Sequence, residues 1–122
     1  MAKVIEERVR EREEAVRGAR EFAVCVSQKL GKVTAILFGS FARGDFNVWS
    51  DIDVLIVAEN LPQKPLERLS TIDVCLSRFP RVEPILITIE EFVKMKKKSV
   101  AVIEAVERGI VLLDMLNLIS TA

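Results

Sequence analysis

Apolar residues recur at threes, fours and one seven along the first thirty positions. Ile5, Val9, Val16, Ala19, Phe22 or Ala23, Val26 and Leu30 form one stripe. That is the period of an α-helix. It predicts a helix from about Ala2 to Leu30, with Gly31 as its stop. Between the stripe residues, Glu6, Glu7, Glu11, Glu13 and Glu14 alternate with Arg8, Arg10, Arg12 and Arg17. Such alternation reads as a solvated face laced with ion pairs. The first half carries few apolar anchors, so a partner-binding helix stays open as the alternative.

The period then shortens. From Lys32 or Val33 to Phe38 the chain is apolar nearly throughout, as expected of a central strand covered on both faces. Gly39 to Arg43 reads as a tight turn with a short helical piece, and Gly44 to Ser50 as a loop. Trp49 lies in that loop and is expected to cover the sheet edge rather than stack on a base. Ile52 to Ala58 is the second strand. After a loop containing Pro62, Pro65 opens a helix to about Ser77 or Phe79, and Pro80 closes it. Val82 to Thr88 is the third strand, and Pro84 within it argues for a sheet edge or for a strand that properly begins after it. Thr88 and Glu91 form a capping box for the next helix. Ser99 caps a further helix through Val106 that Gly109 stops. Ile110 to Leu113 or Asp114 is a last short strand. Met115, Leu116, Leu118 and Ile119 give the tail to Ala122 an apolar face, for docking on a neighbour or on the domain itself. The order of elements implies an α/β (α+β) fold, a mixed sheet of about four strands with helices packed on it.

A chain of 122 residues suits a single domain, 1–122, with one core. Its net charge of zero gives no general electrostatic reason for nucleic-acid binding. Lys94, Lys96, Lys97 and Lys98 are a local exception that reads as a solvated helix end. With no histidine and no tyrosine, Ser-His-Asp triads and His-ligated zinc are excluded. Cys25 and Cys75 sit in apolar helical patterns and are expected to be buried free thiols in a reducing cytoplasm. The charged N-terminus is not a signal peptide, and no apolar run is long enough to span a bilayer. A cytoplasmic location follows as the expectation.

The chemistry concentrates between Leu37 and Val57. One strand ends in Gly39-Ser40, followed by Arg43-Gly44, a spacer, and Ser50-Asp51-Ile52-Asp53 opening the next strand. Side chains at i and i+2 of a strand share a face, so Asp51 and Asp53 project together. Two carboxylates so close repel unless a cation lies between them. A hard oxygen pair suits Mg²⁺, which takes one or two carboxylates plus substrate phosphates. Glycine lets backbone approach a ligand closely, and a short helix after it would turn its N–H groups to an anion.

This block resembles the signature of the DNA polymerase beta-like nucleotidyltransferase superfamily, and its small prokaryotic members, the minimal nucleotidyltransferases, most closely. Gly39, Ser40, Arg43, Gly44, Ser50, Asp51 and Asp53 carry the resemblance, which spans about Val33 to Phe92. It implies the polymerase beta-like fold. It also implies nucleotide binding at Gly39, Ser40, Arg43, Gly44 and Ser50, with Gly39 and Ser40 on the β- and γ-phosphates. Asp51 and Asp53 would be catalytic ligands of Mg²⁺, two ions in all. Glu83 would complete the metal site, where better-known members carry Asp. Arg43 would either neutralise phosphate or pin the loop. The implied reaction moves a nucleoside monophosphate, AMP from ATP being favoured over other nucleoside triphosphates, to a hydroxyl. The implied partner is a HEPN-domain protein of a toxin–antitoxin pair. A module that binds nucleotide or partner without turnover is the alternative. Whether the chain forms a homo-oligomer is open.

Overall fold

The structure is a computed structural model and describes residues 2–119. Helix α1 (Ala2–Leu30) leads into β1 (Val33–Phe38), a single turn α2 (Ser40–Arg43) and β2 (Ile52–Ala58). Then come α3 (Pro65–Ser70), α4 (Asp73–Arg78), β3 (Val82–Thr88), α5 (Ile89–Met95), α6 (Val100–Arg108) and β4 (Ile110–Asp114). The strands form one mixed sheet in the order β3-β2-β1-β4. β1 runs antiparallel to β2 and β4, while β2 and β3 are parallel. Every residue of β1 is buried, as expected of a central strand. β3 includes Pro84 and lies at the sheet edge, the first of the two options that the proline offered.

Alternation along the strands divides the core in two. Val54, Ile56 and Ala58 of β2 join Ala15, Ala19, Phe22, Ala23, Cys25 and Val26 of α1 on one face. Leu55 and Val57 join Ile36, Phe38, Ile87, Phe92, Val102 and Ala105 under α5 and α6 on the other. Leu116, Leu118 and Ile119 also pack on this second cluster. Of the two options for the tail, docking on its own fold is the one observed. Asp114 fastens it, accepting from the Leu118 and Ile119 amides at 2.9 and 3.1 Å and from Thr34 Oγ1 at 2.8 Å. Ser120 to Ala122 lie outside the described residues.

Several expectations need correcting. The helix expected from Pro65 to Ser77 or Phe79 is two helices. The Thr71 and Ile72 amides bond to carbonyls only three residues back, which tightens the turn, and Ile72 leaves helical geometry at φ −126°, ψ 28°. The break drives Ile72 into the core, where it is fully buried. It also sets Cys75 on α4 against Cys25 on α1, with Cα atoms 5.8 Å apart, and the two form a disulfide rather than free thiols. Trp49 does not cover the sheet edge; it is 88% exposed. Gly109 ends α6 without left-handed geometry, at φ −77°. A side chain there would collide with Ile36, Leu37 and Ala105, so glycine is required for the close approach of α6 to β1.

Candidate active site

Asp53 and Glu83 are direct partners in the parallel β2–β3 ladder. They lie two residues before Leu55 and Ile85, which belong to the α5/α6 side, so both carboxylates emerge on that face at the opening ends of their strands. Asp51, two residues upstream of Asp53, joins them, with its carboxylate near enough to Glu83 for the two to compete for one proton. Three acidic groups from the starts of two neighbouring strands thus meet at one corner of the sheet.

Their charges interact. Burial, then the charge of Asp51, then that of Glu104, push Asp53 above the ordinary aspartate range, while Arg43 pulls it back. The hydrogen bond with Asp51, and after it the Asp51 charge, push Glu83 above the ordinary glutamate range. Two carboxylates can share a hydrogen bond only around a proton, and a cation at the same place relieves the same repulsion.

The turn at the end of β1 closes on this cluster. Gly39 has φ +79°, and a Cβ there would meet the Asp53 side chain, with Cγ at 3.2 Å and Oδ2 closer still. Glycine is therefore needed twice over, for the left-handed backbone and for the space that Asp53 takes. The Gly39 carbonyl accepts from Arg43 N at 3.0 Å, closing the single turn of α2. Arg43 reaches out of α2 to Asp45 Oδ2 at 3.2 Å and to Glu104 Oε1 on α6. The Glu104 bond, followed by that of Asp45, holds its guanidinium above the ordinary arginine value.

The sequence-predicted residues thus fall into two groups. Gly39, Arg43, Asp51, Asp53 and Glu83 converge, and Ser40 opens α2 beside them. Gly44 and Ser50 have other contacts in the structure. The Gly44 carbonyl accepts from Arg8 Nη2 at 3.0 Å. The Ser50 hydroxyl accepts from the Asn47 amide at 2.9 Å, closing its own loop.

Four residues that support this corner carry no local signal. Arg8 donates to Phe46 O at 2.9 Å and lies over the Phe46 ring. Arg12 donates to Phe41 O and Ala42 O at 2.8 and 2.9 Å, satisfying carbonyls at the end of α2. Arg81 donates to Ser50 O at 2.9 Å, tying the start of β3 to the start of β2. Glu104 is the fourth. The alternating charges on α1 read as a solvated face, and only the folded chain shows that Arg8 and Arg12 grip the loop.

Among the described residues no three His, Cys, Asp or Glu side chains stand arranged to hold a metal ion. The donors at this corner are nevertheless all hard carboxylate oxygens, with repulsion that a cation would relieve. That chemistry fits Mg²⁺, which keeps several waters and needs few protein ligands. Among the described residues no helix is long and apolar enough to cross a membrane.

Residues 19–111 match the nucleotidyltransferase domain family. Two chains of Methanocaldococcus jannaschii, each named "putative protein adenylyltransferase", are similar to parts of this one. One is 44% identical over 50 residues, which is 39% of this chain and 34% of the relative. The other is 44% identical over 43 residues, 35% of this chain and 41% of the relative. The chain therefore matches well under half the length of either. Among solved structures, a Sulfolobus solfataricus chain described as a "putative nucleotidyltransferase" superposes with a TM-score of 0.59 at 22% identity, over 85% of this chain and 84% of that one. A toxin–antitoxin structure with AMP-PNP superposes with a TM-score of 0.56 at 18% identity, over 80% and 75%. Both share the fold.

Proposed function

Since this chain belongs to the nucleotidyltransferase domain family, we propose that it transfers a nucleoside monophosphate, AMP from ATP first among the candidates, to a hydroxyl on a partner protein. The observation that carries the reading is the meeting of Asp51, Asp53 and Glu83 beside the Gly39 turn. In the reaction the acceptor oxygen bonds to the α-phosphorus. The α–β bridging bond breaks, pyrophosphate leaves and the hydroxyl proton is released. Such chemistry needs positioning and charge neutralisation rather than a covalent intermediate.

The chain's residues divide this work. Gly39 lets the backbone approach the triphosphate, and Ser40 offers its N–H and hydroxyl. Arg43 places a cation beside the same turn. Asp51, Asp53 and Glu83 would hold Mg²⁺, which when bound supplies charge neutralisation at the reacting phosphate. Gly44 and Ser50 shape the loop that carries Asp51. The protein acceptor rests on the names of the Methanocaldococcus relatives. A HEPN-domain toxin as that partner rests on the resemblance in sequence and on a toxin–antitoxin structure of the same fold. A cytoplasmic setting is proposed from the nucleotide requirement alone, since the Cys25–Cys75 disulfide does not speak for a reducing compartment.

The test is to incubate the purified protein with Mg²⁺, labelled ATP and the product of the neighbouring gene. Label should enter the partner, and Asp51→Asn with Asp53→Asn should abolish the transfer. Absence of label in the wild-type reaction counts against the proposal. One observation favours binding without turnover instead: Glu83 is exposed to solvent at the start of β3. A melting shift with ATP but no pyrophosphate release would select that reading.

A further inference from the structure

Glu104 lies outside every motif of the sequence, 61 residues from Arg43, yet its carboxylate takes Nη1 of that arginine. Asp45 takes Nε at 3.2 Å. Two carboxylates from different elements thus hold the guanidinium, one at Nε and one at Nη1. Among the described residues its Nη2 has no hydrogen-bond partner. A planar guanidinium held at Nε and Nη1 has a fixed direction for its remaining N–H bonds. Arg43 N donates to the Gly39 carbonyl at 3.0 Å, and Gly39 lies against the Asp53 side chain, so the clamp belongs to the Gly39 turn.

We propose that Glu104 is a positioning residue of the nucleotide site, holding Arg43 so that its free Nη2 edge meets the phosphates beyond the α-phosphate. This rests on the nucleotidyltransferase reading above. α6 does not need the ion pair to dock. Val102 and Ala105 are buried against the sheet, and Gly109 lets α6 approach β1. The side chain is only about a quarter exposed, at 26%, although it lies at the rim of a polar corner. Its cost in desolvation is matched by the charge-assisted bond to Arg43. The clamp selects among nucleotides by phosphate number, because a monophosphate does not reach the edge that Glu104 holds in place.

The experiment measures binding of ATP and of AMP, each with Mg²⁺, to wild type, Glu104→Ala, Arg43→Ala and the double variant, with melting midpoints in parallel. A misdirected charge-assisted bond predicts about tenfold weaker ATP binding in Glu104→Ala. AMP binding should be unchanged, and so should the midpoint. In the Arg43→Ala background the Glu104 change should add nothing, since the pair acts as one unit. Equal loss for ATP and AMP, no loss, or further loss without Arg43 overturns the inference. Failure of wild type to bind ATP at all overturns the nucleotidyltransferase reading, and the inference with it. Normal wild-type binding with an indifferent Glu104→Ala overturns the inference alone.

Discussion

Gly39→Ala tests how the site is built, because the structure assigns it two separable costs. The first is backbone strain. An alanine at φ +79° pays about 1–2 kcal/mol for left-handed geometry. The second is a collision. The new Cβ falls inside contact distance of Asp53 Oδ2, and the carboxylate has to retreat by about 1 Å before the contact becomes ordinary. A misplacement of that size in a catalytic group costs on the order of 10²-fold in rate. Gly31→Ala separates the two costs. Gly31 has φ +86°, and a Cβ added there would meet nothing within 4 Å, so it carries the strain without the collision. Urea denaturation should find both variants destabilised by similar amounts. The label-transfer assay should find Gly31→Ala near wild type and Gly39→Ala depressed about 10²-fold. Equal activities in the two variants, at comparable stability, would refute the argument that Gly39 is there to make room for Asp53.

Other outcomes follow from the same charges and staples. Asp53 holds its proton more tightly folded than unfolded, so its charge costs stability as pH rises through the carboxylate range. Asp53→Asn should therefore melt higher than wild type at neutral pH without metal, with the gain fading in acid. Saturating Mg²⁺ should raise the wild-type midpoint more than the variant's. Glu91 is the opposite case. Its hydrogen bond to Arg68 holds it below the ordinary glutamate range. Its contribution is complete above that range and lost as pH falls through the lowered value. Arg68 is buried, and its removal strands Pro62 O and Leu86 O as well as Glu91. Arg68→Met should cost about 2–3 kcal/mol in urea titrations, discounted for the half-exposed glutamate, and should flatten the acid limb. The Cys25–Cys75 bond closes a loop of 50 residues, for which chain entropy predicts up to about 4 kcal/mol. Cys75→Ala or a phosphine reductant should lower the midpoint accordingly. Two titratable thiols in the unreduced protein would overturn the pairing.

The elements that could be read along the chain are those whose signal is local. The stripe of α1, the unbroken apolar run of β1, Pro84 at the edge and the Thr88/Glu91 box each state their role within a few residues. The Gly39 turn and the Asp51/Asp53 pair belong to the same class, since one hairpin carries both. Contacts made across the fold gave no such signal. The break at Thr71–Ile72 interrupts an apolar pattern that continues through it, and the disulfide depends on that break. Glu104 is one acid among many until α6 is laid over the corner. Arg8 and Arg12 look like their neighbours on α1, and only the position of α2 distinguishes them.

The grip of those arginines makes the start of the chain matter to protein engineers. Arg12 lies 30 residues before the Ala42 carbonyl that it holds. An affinity tag or truncation that unwinds the opening turns of α1 would release the loop from behind. Such damage would register as poor nucleotide handling in a protein whose core still melts normally. Fusions to this chain are therefore better joined at the other end.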